Sequence, residues 1–300
     1  MDLIRLTNNA YHLRAGSNAG LLVSGKKALV VDSGLDRDAA RRILKHVAAL
    51  RVEVAAVLIT HAHADHFGGA SELKKRTGAP VLAPAFEAAV IENPALEPVY
   101  LFAGAQPVQE LEGKFILAQP CPVDGLLEPG RQALHGFEVE VIPAPGHAHN
   151  QVMIGAPQEG VCFAADAFFP PQVLDKYGIP FYVNIDQTLA TLAALPALAY
   201  HVFAQGHGDA YTDVVEVAGY NSQRIREITA HVLAAIAEPS DDSRVLQRTA
   251  NAMGIAISHP AIYYLTRTTI HACLNSLRRA GLAELSLAEN RLLWQMTGVG

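Results

Sequence analysis

Short apolar runs alternate with turn residues through the first two thirds of the chain. Leu21-Leu22-Val23-Ser24 and Ala28-Leu29-Val30-Val31 flank Gly25-Lys26, the pattern of a β-hairpin. Residues 36–49 carry Ala40, Ile43, Leu44 and Val47 at helical spacing and hand over to an apolar strand at 54–59. Residues 70–76 read as a helix stopped by Gly78, 80–83 as a strand and 86–91 as a further short helix. Strand and helix in alternation predict an α/β layered architecture.

The second half repeats the theme. Phe137–Ile142 alternates like a half-exposed strand, Val152–Ile154 and Val161–Ala164 are two more, and 201–204 follows a helix at roughly 187–195. Between the halves, residues 93–123 are rich in Pro, Gly and Gln without clear periodicity, which fits a substrate-side lid or a plain surface excursion. A long helix spans 213–237, and Glu238-Pro239-Ser240-Asp241-Asp242 breaks it and offers caps. Helices at 245–253 and 261–280 and a closing hairpin complete a winged-helix-like module. The expected division is a catalytic domain over 1–237 and a small helical C-terminal domain over 238–300.

Composition narrows the class. Half the residues are hydrophobic and 17% are charged, enough apolar mass for a sizeable core. A net charge of −6 argues against nucleic acid as the main partner. Cys121, Cys162 and Cys273 are far apart with no CxxC spacing, which suits free thiols in a reducing compartment. No signal peptide and no membrane-spanning run is visible. The expectation is a cytoplasmic protein with a small-molecule substrate, no membrane partner and scope for a homodimer.

The chemistry concentrates where strands end. The run Val57-Leu58-Ile59 stops at Thr60, and His61, His63, Asp65 and His66 follow before two glycines. His61 and His63, at alternate positions of an extended loop, can share one ion, and Asp65 and His66 can turn toward a second. His147, Asp166 and His207 are three more strand-end ligands, and a carboxylate such as Asp166 suits a bridge between two ions about 3.5–4 Å apart. Asp32 also ends a strand, where it either serves the site or caps the next turn.

The motif His61-Ala62-His63-Ala64-Asp65-His66 resembles the HxHxDH signature of the metallo-β-lactamase-fold hydrolases, in their glyoxalase-II-like and β-lactamase-like subgroup. Asp32, His147 in Pro-Gly-His, Asp166 and His207 in Gly-His-Gly match the other elements in order. The resemblance implies an αβ/βα four-layer sandwich. It implies two divalent metal ions, zinc first with iron or manganese as alternatives. One would sit on His61, His63 and His147 and the other on Asp65, His66 and His207, with Asp166 bridging. Asp32 would orient the loop or a ligand, and Asp65 would assist proton transfer. The activity implied is attack by metal-bound hydroxide on a small ester, thioester or lactone.

Departures from the pattern bear on substrate. The family commonly continues Pro-Gly-His-Thr-Pro-Gly, whereas here Ala148-His149-Asn150 follows His147. His149 is therefore a candidate for the cleft. Phe169 stands where homoserine-lactone lactonases usually have Tyr, which weakens that reading. Phe169, Tyr177 and Tyr182, with Phe168 and Phe181, are candidates for a small apolar pocket wall. Two alternatives stay open. One is a mononuclear-iron oxidoreductase of the persulfide-dioxygenase type. The other is a β-lactamase-like ribonuclease or phosphodiesterase that uses the polar side of the last long helix, Arg267, His271, Asn275, Arg278 and Arg279, against phosphates.

Overall fold

The computed structural model describes residues 1–298. Its first sheet runs in chain order: β1 (Asp2–Arg5), β2 (Ala10–Arg14), β3 (Ala19–Ser24), β4 (Lys27–Val31), β5 (Glu53–Leu58), β6 (Val81–Ala83) and β7 (Gly125–Leu126). Pairing is antiparallel up to β4 and parallel from there to β7. The switch follows from the connections. The two-residue turn at Gly25-Lys26 permits a hairpin, whereas α1 (Arg37–Ala49) is a crossover that returns the chain parallel. The turn fits its residues because Gly25 has φ 58°.

Further along come α2 (Ala64–Phe67), α3 (Ala70–Thr77), α4 (Ala85–Glu92) and α5 (Leu96–Leu101). Then β8 (Gly130–Leu134), β9 (Phe137–Pro143), β10 (Val152–Ala156), β11 (Val161–Ala165) and β12 (Val202–Gln205) form a second sheet, ordered β12-β11-β10-β9-β8. Three apolar layers hold the sheets. Ile43, Val47, Leu73 and Ile91 pack on Val30, Val57 and Val81 outside the first sheet. Leu29, Val31 and Leu58 meet Val139, Ile154 and Phe163 between the sheets. Met153, Cys162 and Ala164 line the outside of the second sheet with Leu192, Ile225 and Ile228. Both faces of each central strand are thereby buried, which explains runs such as Val57-Leu58-Ile59 that do not alternate. The result is the helix–sheet–sheet–helix sandwich anticipated from the sequence.

The outer layer on the second sheet comes from α6 (Pro171–Tyr177), α7 (Ile185–Ala194) and α8 (Val215–Ala235). Beyond it lie α9 (Asp242–Ala252), α10 (Pro260–Arg279) and the hairpin of β13 (Ala283–Ala288) and β14 (Arg291–Met296). The Asp241 side chain caps α9 by accepting from Arg244 N, as the acidic break after α8 suggested. Glu289 and Asn290 both take positive φ, the geometry of a tight hairpin turn. Ser240 bridges to Trp294, tying the inter-helix segment to that hairpin. Ile270, Cys273, Leu274 and Leu277 of α10 share one apolar cluster with α8 and the second sheet.

Two segments differ from the sequence expectation. Residues 93–123 are not wholly irregular, since they hold α5 and a 3-10 turn at Gln109–Leu111. Leu101, Leu111 and Ile116 give this region its own small core, joined by Phe181, Tyr264 and Leu265. Six helical residues containing Pro98 are too few to display a period. The aromatic stretch after Asp166 contains α6, a helix that the sequence pattern does not predict. Pro171 occupies its first position, where a proline favours a helix start, and Gly178 at φ 67° ends it.

Candidate metal centre

The ligand-type residues gather at one edge of the sandwich because the strands that precede them end there. Asp32 follows β4; Thr60, His61 and His63 follow β5; and α2 presents Asp65 and His66. His147 follows β9, Asp166 follows β11 and His207 follows β12. Two of these strand ends carry unusual backbone: Asp32 has φ 60° and Ala165 φ 46°. Left-handed conformation at non-glycine residues costs about 1–3 kcal/mol each and persists where surrounding contacts over-determine it.

Three sets of ligand atoms each fall within 4.8 Å: His61, His63 and His147; His61, His66 and Asp166; and Asp65, His66 and His207. Asp166 sits among them, 3.3 Å from His66 Nε2, 3.3 Å from His147 Nε2 and 3.4 Å from His207 Nε2. His207 Nε2 is also 3.5 Å from Asp65. All seven sequence-predicted ligands are thus brought together. The buried atoms His61 Nε2, His66 Nε2 and Asp166 Oδ1 have no hydrogen-bond partner. Buried polar atoms are ordinarily satisfied. Imidazole nitrogens and a carboxylate oxygen left free and convergent fit a divalent cation of the zinc type.

The outer nitrogens of His66, His147 and His207 are committed. His66 Nδ1 donates to Asp32 Oδ2 at 2.9 Å, and the same carboxylate accepts from Thr60 N at 2.9 Å and from the Thr60 hydroxyl. His147 Nδ1 lies 2.9 Å from Phe181 O, and His207 Nδ1 lies 2.9 Å from Gly16 O. A carbonyl can only accept, so both rings carry a proton on Nδ1 and turn Nε2 toward the centre, where His147 Nε2 lies 2.8 Å from His63 Nδ1. The Ser17 hydroxyl donates to Asp65 Oδ2 at 2.7 Å. Glu87 on α4 accepts from Ala62 N at 2.8 Å and from Asn150 N at 2.7 Å, one from each ligand loop. Gly206 leaves room for the carboxylate, since a Cβ there would overlap Asp166 Oδ1.

Electrostatics divides the cluster. Burial, reinforced by neighbouring imidazoles, holds His61 well below the usual imidazole value and takes His63 down to about 3. Burial also lowers His147, against the pull of Asp166. For His66 and His207 burial acts downward too, but carboxylates outweigh it. Asp166, Asp65 and Asp32 carry His66 well above the usual value, and Asp166 and Asp65 raise His207 to about 9. Asp166 is held well below the carboxylate range, because His207 and His66 outweigh its burial. One flank is therefore neutral nitrogen, and the other is an ion-paired group able to exchange protons for cations.

The remaining candidates fall into different settings. His149 is exposed, with its ring centroid 4.9 Å from that of Phe86, and it lines a small hollow with His63, Glu87, Tyr100 and Val183. Phe169 is buried 5.4 Å from the His147 ring and 6.1 Å from the His207 ring. Tyr182 is buried 6.4 Å from the His147 ring, whereas Tyr177 is exposed on α6. Phe181 is the aromatic that meets His63, at 5.2 Å. On α10, Arg267 donates to Leu101 O and lies over the Tyr264 ring, and His271 pairs with Asp242.

Sequence reasoning passed over Ser17, Thr60, Glu87 and Glu97. Glu97 is buried with Oε2 unpartnered, and burial, then Asp65 and Glu87, push its carboxyl well above the usual range. The available signal for Glu87 is a carboxylate flanked by Phe86, Ala88, Ala89 and Val90 in an apolar helix. Ser17 and Thr60 carry no such signal, because hydroxyls at strand ends are common.

A sequence model of the metallo-beta-lactamase superfamily matches residues 13–207, and the chain belongs to that superfamily. Among curated relatives, a hydroxyacylglutathione hydrolase of Dechloromonas aromatica (strain RCB) is 32% identical over 178 residues, 59% of this chain and 52% of that protein. Another hydroxyacylglutathione hydrolase, from Albidiferax ferrireducens, is 30% identical over 178 residues, 57% of this chain and 54% of its own length. The matched stretch thus spans about half the length of these relatives. A metallo-beta-lactamase family protein from Thermus thermophilus superposes with TM-score 0.75 at 21% identity, covering 98% of this chain and all of its own. A beta-lactamase domain protein from Burkholderia ambifaria gives 0.76 at 17% identity over 99% and 94%. These two share the fold along nearly the whole chain, the C-terminal helices and hairpin included.

Proposed function

We propose that the chain is a metal-dependent hydrolase of a small carboxylic substrate, with a thioester first and an ester or lactone next. The supporting observation is the convergence of three donor sets around Asp166, with buried donor atoms left free on both flanks. On this reading His61, His63 and His147 hold one ion, Asp65, His66 and His207 hold a second, and Asp166 lies between them; zinc suits this nitrogen- and carboxylate-rich set. When bound, the ions supply a hydroxide from water near neutral pH and polarise the carbonyl under attack.

The chain's own groups do the rest. Neutral His61, His63 and His147 offer lone pairs without first losing a proton. Asp32 and the Phe181 and Gly16 carbonyls fix ring orientation before substrate arrives. Asp65 is the carboxylate suited to receive and return a proton: its side chain is 27% exposed, against 5% for Asp166 and for Asp32. Ser17 holds that carboxylate in place.

The thioester preference is supported by the relatives named hydroxyacylglutathione hydrolases and is extended here to this chain's site as a proposal. We place the protein in the cytoplasm, which its three free, buried cysteines support. Among the described residues no helix is long and apolar enough to cross a membrane. Residues 238–300 are proposed as a winged-helix-like module, on the order of α9, α10 and hairpin and on the Ser240–Trp294 bridge. The test is a substrate panel on protein of known metal content: S-lactoylglutathione, lactones, an activated ester, a phosphodiester, a β-lactam and a persulfide. The reading expects the thioester to be turned over fastest; activity confined to the phosphodiester or the persulfide would overturn it.

A further inference from the structure

One bond network carries the C-terminal helix into the candidate metal centre. Thr269 of α10 is completely buried. Its hydroxyl accepts from Tyr182 N at 2.9 Å and donates to Pro180 O at 2.8 Å. Phe181 lies between these two residues. Its carbonyl takes the Nδ1 proton of His147 at 2.9 Å, and its ring stands on His63 at 5.2 Å. The Phe181 carbonyl and the Tyr182 amide are the two ends of one planar trans peptide group, so their directions are locked to each other. Holding the N–H of that group aims its C=O.

We propose that Thr269 is a positioning residue for His147, acting through the Phe181–Tyr182 peptide, so that α10 is a working part of the metal centre. The proposal rests on His147 being a metal ligand. Three further contacts fit it. Val183 N bonds to Gly146 O at 2.8 Å, which straps the same segment to the His147 loop from the other side. Ser276 and Arg267 pin α10 to Asp186 and to Leu101 O, on either side of Thr269 along the helix. With α10 anchored, the hydroxyl is a fixed point and the segment 180–182 hangs from it. Without the hydroxyl, the Tyr182 amide and Pro180 carbonyl lose their partner, and the peptide is free to rotate toward other acceptors and donors. His147 then loses the acceptor that keeps its proton on Nδ1.

The experiment is competition for zinc between a chromophoric chelator and the metal-stripped full chain, beside thermal unfolding of the same samples. Thr269→Val keeps the shape and removes both bonds. It is expected to weaken one of the zinc equivalents about 10- to 100-fold, the range for losing a group that orients a ligand. Thr269→Ser keeps the hydroxyl and is expected to bind as the unsubstituted chain does. Ser276→Ala loosens one of the two anchors of the same helix and is expected to cost far less zinc affinity than T269V, whatever it does to the melting temperature. Unchanged affinity in folded T269V would overturn the proposal, as would equal losses in T269V and S276A. If T269V does not fold, Thr269→Ser decides, since a loss of about tenfold there would mean that the hydroxyl is not what matters. His147→Ala separates the underlying assumption: if it retains full zinc affinity, the ligand assignment fails before the positioning claim is reached.

Discussion

At the scale of single residues, the centre is a set of titrating groups pushed in opposite directions, and the metal-free protein carries the consequence. His61, His63 and His147 have lowered values, so the unfolded chain binds protons there that the folded chain refuses. Their contribution is complete above the unfolded imidazole value of about 6.5 and is lost as pH falls below it. His66 and His207 are raised, so their contribution is complete below about 6.5 and is lost as pH climbs, for His207 through about 9. The two trends place the maximum of metal-free stability near pH ~6.5. Urea midpoints measured from about pH 5 to 10 on stripped protein are expected to peak there, and His207→Gln is expected to flatten the alkaline side. A midpoint that keeps rising to about pH 9 would contradict the assignment. The seven candidate ligands were legible because imidazole and carboxylate at strand ends are rare combinations. The groups that hold them were not, because a backbone carbonyl such as Phe181 O or Gly16 O leaves no mark in a sequence.

At the scale of elements, α4 shows how a short helix serves two loops at once. Glu87 accepts from Ala62 N in the first ligand loop and from Asn150 N just beyond His147. Burial raises its carboxyl, and those two N–H groups pull in the other direction. Glu87→Ala leaves the buried Ala62 N–H unpaired, at about 1–3 kcal/mol, and frees the part-buried Asn150 N–H as well. The expected result is a drop of several degrees in melting temperature together with weaker metal retention; a variant equal to the parent in both would remove Glu87 from the account. The same scale shows where periodicity informs and where it fails. α1 at thirteen residues and α8 at twenty-one have room to repeat an apolar spacing. α5 at six and α6 at seven do not, and each carries a proline, Pro98 inside one and Pro171 at the start of the other. Residues 93–123 therefore carry more order than their composition suggested.

At the scale of the whole molecule, the sandwich brings strand ends from two sheets to one edge. Asp32, His61, His63, Asp65 and His66 come from the first sheet's side, and His147, Asp166 and His207 from the second's. The layered class was legible because strand and helix alternate through 36–91 and strands in both halves finish in candidate ligands. The docking of α10 on the segment 180–182 was not legible, because Thr269 meets Tyr182 and Pro180 across 87 and 89 residues of sequence. Spacing within one segment holds no trace of such a pairing.

A two-ion hydrolytic centre shared across Asp166 is what we propose for this chain. Its most direct test is zinc titration of the metal-stripped chain with bound metal and thioester hydrolysis followed together, for the parent, His61→Ala and Asp166→Ala. Two equivalents are expected to bind and restore hydrolysis in the parent, with metal content lowered and activity abolished in both variants while the far-ultraviolet spectrum stays unchanged. Full activity and full metal content in Asp166→Ala, or a parent that holds one iron and consumes oxygen in a thiol-dependent way, would contradict it.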